Sequence, residues 1–267
     1  MVENMQVMIL CGGKGTRIRD VSEILPKPML PIGGRPVLWH IMKLYAQFGL
    51  SNFVCCLGYK GSVVKEFFLN YREFTEDIEI SLKGHECEPQ TRYLEPCRED
   101  GWSVILAETG EDSQTGARVK RGSKYINGAT FMLTYGDGVG DVNIGELLKF
   151  HKAHGKLATI TGVRPPGRFG ELGVEGDTVV EFNEKPQVSS GYINGGFFVL
   201  EKEFVDRYMN DRADLVLEWE PLRECARDGE LKVFEHNGFW QPMDTMREYH
   251  LLNDLWVAGE APWKVWG

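Results

Sequence analysis

The sequence predicts an α/β fold: a Rossmann-like, mixed but mostly parallel sheet flanked by helices, with β-hairpin insertions. Three observations predict it. Short uninterrupted apolar runs, which suit strands buried on both faces, alternate with segments of helical period. A glycine-rich turn follows the first run at once. Later in the chain a Gly-Asp pair separates two stretches of alternating polarity, which is the pattern of a hairpin.

Taken in order, residues 7–11 are the first apolar run, expected as a buried strand. A long loop follows and ends at Gly33-Gly34-Arg35-Pro36, with Pro36 suited to a first helical position. Val37, Leu38, Ile41, Met42, Tyr45 and Phe48 recur at helical spacing, and Gly49 stands where a left-handed cap would stop the helix. Residues 52–57 are the next strand, so strand, crossover helix and strand imply a parallel pair joined right-handedly; residues 62–71 add a helix. Residues 78–82 and 104–107 read as strands around a polar excursion, residues 83–102, expected to be a surface loop or hairpin. A strand at 130–135 ends in Tyr135-Gly136-Asp137-Gly138, and an amphipathic helix with Ile144, Leu147, Leu148 and His151 follows. Residues 158–163 form a strand, residues 172–182 alternate about Gly176-Asp177, and residues 197–200 are apolar again. Helices are expected near 203–209 and 218–227 and a strand at 231–234; Thr245 caps a last helix carrying Tyr249, Leu252 and Trp256.

Composition narrows the function. The chain has 267 residues, 42% of them apolar, and 39 Asp+Glu against 30 Lys+Arg, a formal net charge of -9. Sequence-independent binding to a nucleic-acid backbone needs clustered cations, so nucleic acid is excluded as a partner. A small anionic substrate is not. No apolar run reaches the length of a membrane span, and residues 1–6 carry Glu3 with no basic segment ahead of an apolar one, so neither a membrane nor a signal peptide is expected. Cytoplasmic location is the expectation. Cys11, Cys55, Cys56, Cys87, Cys97 and Cys225 show no metal-ligand spacing and read as free thiols.

The glycine loop carries the first chemical signal. Leu10-Cys11-Gly12-Gly13-Lys14-Gly15-Thr16-Arg17 leaves a predicted buried strand, which puts it at the carboxyl edge of the sheet where α/β ligands bind. Its glycines let backbone N-H groups approach a phosphate chain. It is not a Walker A loop, because Thr16 follows Gly15 where Lys is required, and the dinucleotide fingerprint fails at Ile18. Positive charge is concentrated in two short segments. One is residues 1–40, with Lys14, Arg17, Arg19, Lys27 and Arg35; the other is residues 115–125, with Arg118, Lys120, Arg121 and Lys124. A guanidinium at Arg17 or Arg118 can grip phosphate oxygens in a fork and Lys27 can supply a mobile charge. Lys120, Arg121 and Lys124 read as a solvated helix face.

These residues resemble the sugar-nucleotide pyrophosphorylases. Their nucleotide loop has the pattern Leu-x-Gly-Gly-x-Gly-Thr-Arg with a downstream Lys-Pro pair, here Lys27-Pro28, and Gly136-Asp137-Gly138 and Glu184-Lys185-Pro186 also match. Residues 39–43, 165–170, 193–198 and 239–245 resemble the branch that couples CTP to glucose 1-phosphate; residues 83–102 depart from the pattern. The resemblance implies a nucleotidyltransferase-type fold in a single domain over residues 1–267. About 1–140 form its nucleotide-binding half, about 141–240 its sugar-binding half, and about 241–267 a C-terminal helical extension.

It also implies a set of roles. Leu10, Cys11, Gly12, Gly13, Lys14, Gly15, Thr16 and Arg17 hold the nucleotide together with Ser113, Thr115, Arg118 and Gly136. Arg17 and Lys27 are catalytic through charge neutralisation. Lys27, Arg168, Glu184, Lys185, Asn194 and Gly195 bind the sugar phosphate, and Asp137 and Asp244 are hard ligands for Mg2+. The implied substrates are CTP and glucose 1-phosphate, and the implied assembly is a homo-oligomer, with a hexamer among its forms. The same chemistry with dTTP or UTP stays open, as does a non-catalytic nucleotide-sensing subunit, although the latter is expected to lack Arg17, Lys27, Asp137 or Asp244 and all four are present. Trp240 reads equally as core or as a wall of a sugar pocket; His40, His151 and His154 read as packing residues on helices.

Overall fold

The computed structural model describes residues 4–13, 25–82, 90–97, 99, 101–164, 171–175, 178–183 and 191–267. β1 (Gln6–Leu10) is buried along its whole length. After a 3-10 turn over Lys27–Met29, β2 (Pro31–Ile32) and β3 (Arg35–Pro36) form a short hairpin turning on Gly33 and Gly34, whose φ values of 57° and 82° need glycine. Pro36 precedes α1 (Val37–Gln47), and Gly49, at φ 80°, follows its end. Next come β4 (Asn52–Leu57), α2 (Gly61–Leu69) and α3 (Tyr71–Thr75). The excursion is a hairpin at its base, because β5 (Ile78–Ser81) pairs antiparallel with β6 (Gln90–Tyr93).

β7 (Ser103–Glu108), α4 (Thr115–Gly122), β8 (Thr130–Tyr135), β9 (Gly138–Gly140), α5 (Ile144–His154) and β10 (Ala158–Val163) complete the middle of the chain. β11 (Glu171–Glu175) pairs antiparallel with β12 (Thr178–Asn183), the expected hairpin. β13 (Ile193–Glu201), α6 (Lys202–Tyr208), α7 (Glu220–Arg227), β14 (Leu231–His236), β15 (Trp240–Pro242) and α8 (Met246–Val257) finish it. The main sheet has the order β14-β10-β13-β8-β1-β4-β7. β13 runs antiparallel to both neighbours while every other described pair in this sheet is parallel, so the sheet is mixed and mostly parallel as predicted. No helix among the described residues is long and apolar enough to cross a membrane.

Two apolar cores sandwich the sheet. Val7, Ile9 and Cys11 join one, and Met8 and Leu10 join the other. Each larger side chain fully buried is worth about 1.5–3 kcal/mol, so this one strand contributes on the scale of a domain's whole net stability. It therefore anchors the loop that leaves its carboxyl end. α4 lies so close to the sheet that a Cβ on Gly122 would come 2.6 Å from Cys56 Sγ. On the other face the C-terminal segment clamps α1: buried Trp263 donates from Nε1 to His40 Nδ1 at 3.4 Å, and His40 Nε2 meets Ile32 O at 2.9 Å.

Buried His40 and His151, and half-buried His154, are held toward the neutral form. In His40 one nitrogen accepts and the other donates, and burial lowers its pKa to about 4. At the amino-terminal end of β10 the backbone N-H of Lys156 donates to His154 Nδ1, His154 Nε2 meets Thr159 Oγ1, Thr159 Oγ1 meets His151 Nδ1, and His151 Nε2 meets Glu201. Burial lowers both pKa values, with Glu201 pulling His151 back up. Unfolding lets all three histidines protonate at their ordinary values, so the unfolded chain binds more protons and stability falls as pH drops below about 6.5. The His40 contribution continues to about pH 4 and is on the order of 3 kcal/mol over the full window. The expected result is a urea midpoint that falls from pH 7 to pH 5, with a shallower slope in His40→Asn; equal slopes would remove His40 from this account.

Candidate active site

The site is built where β1 and β8 end. Gly136 N donates to Leu10 O at 3.0 Å, and a Cβ at Gly136 would lie 2.7 Å from that oxygen, so glycine is needed to bring the two strand ends together. Asp137 follows, just ahead of β9. The antiparallel pairing of Gly138 with Pro242 and the bond from Met243 N to Asp137 O at 2.8 Å bring the Asp244 loop alongside. Glu248 accepts from the backbone N-H groups of Asp244 and Thr245 at 2.7 and 2.8 Å while Thr245 caps α8, a capping box that fixes the backbone carrying Asp244.

Lys27, on the 3-10 turn, reaches into this corner. Its Nζ lies 3.3 Å from Asp137 Oδ2 and hydrogen-bonds Asp244 Oδ1. Burial presses the ammonium's pKa down, but the two carboxylates outweigh it and lift the value above the ordinary one. Burial raises Asp137, the Lys27 charge opposes the rise, and Asp244 adds to it. Two hard carboxylates thus converge on one cation position that an ammonium occupies, a donor pair whose chemistry would suit a hard divalent ion. Among the described residues no group of three or more His, Cys, Asp or Glu side chains could hold a metal by itself.

Two cavities meet at this corner. One, of about 280 Å³, is lined by Asn194, Gly195, Trp240 and Asp244; the other, of about 200 Å³, by Leu10, Gly13, Lys27, Ser113 and Thr115; Tyr135 and Asp137 line both. Trp240 is therefore a cavity wall, and its Nε1 donates to Gly195 O at 2.7 Å. Gly195 has no room for a side chain, since a Cβ would approach Val163 Cγ1 to 2.5 Å. Cys11 and Gly12 also line the smaller cavity.

Arg118, expected to grip phosphate oxygens in a fork, has its guanidinium bonded within the protein. Its guanidinium lines the smaller cavity but donates to Leu57 O, Thr109 Oγ1, Gly110 O and Glu111 O at 2.8–3.0 Å, and the residue is 3% exposed. It is packed between Gly12 and Gly58, where a Cβ would come within 2.3 Å of guanidinium atoms. Gly12 is thus required by the arginine, whereas a Cβ on Gly13 would meet nothing within 4 Å. Arg121 is not simply a solvated cation either. It donates to Thr109 O, Ser113 Oγ and Asp211, so the hydroxyl of Ser113, which itself donates to Thr109 O, is held inside the wall. Lys14, Gly15, Thr16, Arg17, Arg168, Glu184 and Lys185 lie outside the described residues.

One residue of this region escaped sequence reading altogether. Glu218, on the turn before α7, accepts from Thr115 Oγ1 at 2.7 Å and from the hydroxyl of Tyr135. Its only sequence signal is an acidic residue directly after the apolar Leu215-Val216-Leu217, which a surface loop would also produce.

Comparison with known proteins follows the same direction. The model of the nucleotidyl transferase family matches residues 6–241. The glucose-1-phosphate cytidylyltransferases of Salmonella typhi and Salmonella typhimurium are each 47% identical over 263 residues, which cover 98% of this chain and 100% of theirs. The crystal structure of HddC from Yersinia pseudotuberculosis complexed with GMP-PN shares the fold at a TM-score of 0.65 and 22% identity, covering 94% of this chain and 99% of that one.

Proposed function

The chain belongs to the nucleotidyl transferase family, and from that premise we infer that it transfers CMP from CTP to α-D-glucose 1-phosphate, giving CDP-glucose and pyrophosphate. The observation that carries the site assignment is the convergence of Lys27, Asp137 and Asp244 on the boundary of two cavities, where two phosphates can meet. A sugar-phosphate oxygen attacks the α-phosphorus of CTP; the new P–O bond forms as the bond to pyrophosphate breaks, and that electron pair leaves with pyrophosphate. The nucleophile is already an anion, so no base must remove a proton. Catalysis then rests on alignment and on offsetting charge.

In this reading the smaller cavity takes CTP against Leu10, Cys11, Gly12, Gly13, Ser113, Thr115 and Gly136, with Arg118 as a wall. Lys14, Gly15 and Thr16 continue the loop, and Arg17 neutralises the transferring and leaving phosphates. The larger cavity takes the sugar phosphate against Asn194 and Gly195, with Arg168, Glu184 and Lys185 completing it. Lys27 reaches both phosphates from the boundary. Asp137 and Asp244 would hold Mg2+, which when bound supplies a template for the triphosphate and offsets its charge. The same reading takes residues 1–267 as one domain, about 1–140 serving the nucleotide, about 141–240 the sugar, and about 241–267 delivering Asp244. It includes a cytoplasmic homo-oligomer, a hexamer among its forms, and the exposed side chains of Leu69, Phe74 and Leu82 support a covered surface.

Pyrophosphate release with glucose 1-phosphate and CTP, UTP, dTTP, ATP or GTP tests the reading. CTP is expected to lead by at least about 100-fold in kcat/KM, as for a site that hydrogen-bonds its base. A preference for dTTP or UTP would overturn the base assignment, and silence with every nucleotide would overturn the enzyme.

A further inference from the structure

The wall between the two cavities is a hydrogen-bond chain whose directions are all forced. A carboxylate only accepts, so both Thr115 and Tyr135 must donate to Glu218. The Tyr135 hydroxyl has a single proton to donate, and the carboxylate takes it as a hydrogen bond. With that proton committed, the Tyr135 oxygen accepts from Asn194 Nδ2 at 2.9 Å, and Asn194 Oδ1 accepts from Gly196 N at 2.8 Å. On the other branch Thr115 Oγ1 accepts from Leu217 N at 2.9 Å. Asn194 lines the larger cavity and Thr115 the smaller.

The backbone is shaped to hold this chain. The Tyr135 ring lies against Gly196, which sits at φ 79° and where a Cβ would come 2.4 Å from the ring. The segment leading to Glu218 is tied to the start of α4 by Gln114 N to Ala213 O at 2.8 Å and Ala117 N to Leu215 O at 3.1 Å. Gly116 is required there, because a Cβ would approach Leu215 Cγ to 2.8 Å.

We propose that Glu218 is a positioning residue for the transfer: through Tyr135 it sets which amide atoms Asn194 presents to the sugar phosphate, and through Thr115 it fixes the facing wall of the nucleotide cavity. The proposal rests on the assignment of the larger cavity to the sugar phosphate. It adds a carboxylate that touches neither substrate and acts on both sides at once.

Steady-state kinetics with CTP and glucose 1-phosphate tests it on Tyr135→Phe, Glu218→Gln and the double variant. Tyr135→Phe keeps the ring in its seat and cuts only the sugar branch. It is expected to raise KM for glucose 1-phosphate at least about tenfold, with smaller changes in kcat and in KM for CTP. Glu218→Gln replaces one accepting oxygen by an amide nitrogen that only donates, so the two hydroxyls no longer each have an acceptor, and it is expected to raise both KM values. In the Tyr135→Phe background it should add less than about twofold to the sugar KM, since both changes cut one chain. A merely structural role would instead lower thermal stability and shift both substrates alike in every variant. An unchanged sugar KM in Tyr135→Phe, or effects that multiply in the double variant, would overturn the proposal. If Glu218→Gln fails to fold, the Tyr135→Phe kinetics decide alone. Absence of wild-type turnover would instead overturn the functional reading beneath it.

Discussion

An Asp137→Ala protein is expected to keep its fold and lose turnover, with kcat falling at least about 1,000-fold. The two halves of that expectation have separate causes. Asp137 lies between β8 and β9 with its carboxyl pKa raised by burial, so the folded state holds the charge there unfavourably, and Lys27 only partly offsets this. Removing the carboxylate leaves Lys27 paired with Asp244, and the change in stability should stay within about 1 kcal/mol. Turnover has no such substitute, because Asp137 borders both cavities and is one of two carboxylates on the cation position. Pyrophosphate release at saturating Mg2+ measures the first effect and the urea midpoint the second. Asp244→Ala, whose backbone Glu248 still holds, is the matched variant. Near wild-type turnover in either would remove that aspartate from the metal-binding pair.

Lys27→Ala is expected to move two readouts in opposite directions. The kcat for CMP transfer should fall by about 100-fold, the scale for losing one positioned charge opposite a developing anion. The affinity of the nucleotide-free protein for Mn2+ should rise, because Lys27 lies between Asp137 and Asp244 and a divalent ion must displace it. Its ammonium is lifted above the ordinary pKa by those carboxylates against the effect of burial, so it competes as a full charge at any working pH. A general structural defect would weaken metal binding and turnover together. Electron paramagnetic resonance of Mn2+ without nucleotide gives the affinity, and weaker or equal binding in Lys27→Ala would refute the competition.

Much of the fold was legible because burial on both faces leaves a plain trace in sequence. The run that became β1, the helical spacing of α1 with Gly49 after it, and the alternation about residues 176–177 each carry their own physical signature. β9 and β15 carry none, being three residues each, and yet their pairing is what sets Asp137 beside the Asp244 loop. The chemistry-bearing residue types were readable from motifs, but their partners were not. Charge counting treats every arginine alike, so it could not distinguish a guanidinium facing phosphate from one enclosed by carbonyls, as Arg118 is. The missing side chain of Gly12 makes room for that arginine, which a glycine in a sequence does not distinguish from room for a ligand. Glu218 lies on a turn without periodicity, and its importance exists only through contacts with residues 83 and 103 positions away.

The ion-paired corner also constrains the order of events as the protein acquires its structure. Lys27 meets Asp137 across 110 positions and Asp244 across 217. Contacts so distant along the chain close large loops, and their entropy cost is recovered only once the sheet and its cores hold the intervening segments. The groups that would bind a triphosphate and a divalent ion are therefore expected to come together late. A chain in which these groups have not yet met is expected to present no paired carboxylates to a metal ion and no finished cavity to a nucleotide. Competence and completed folding arrive together.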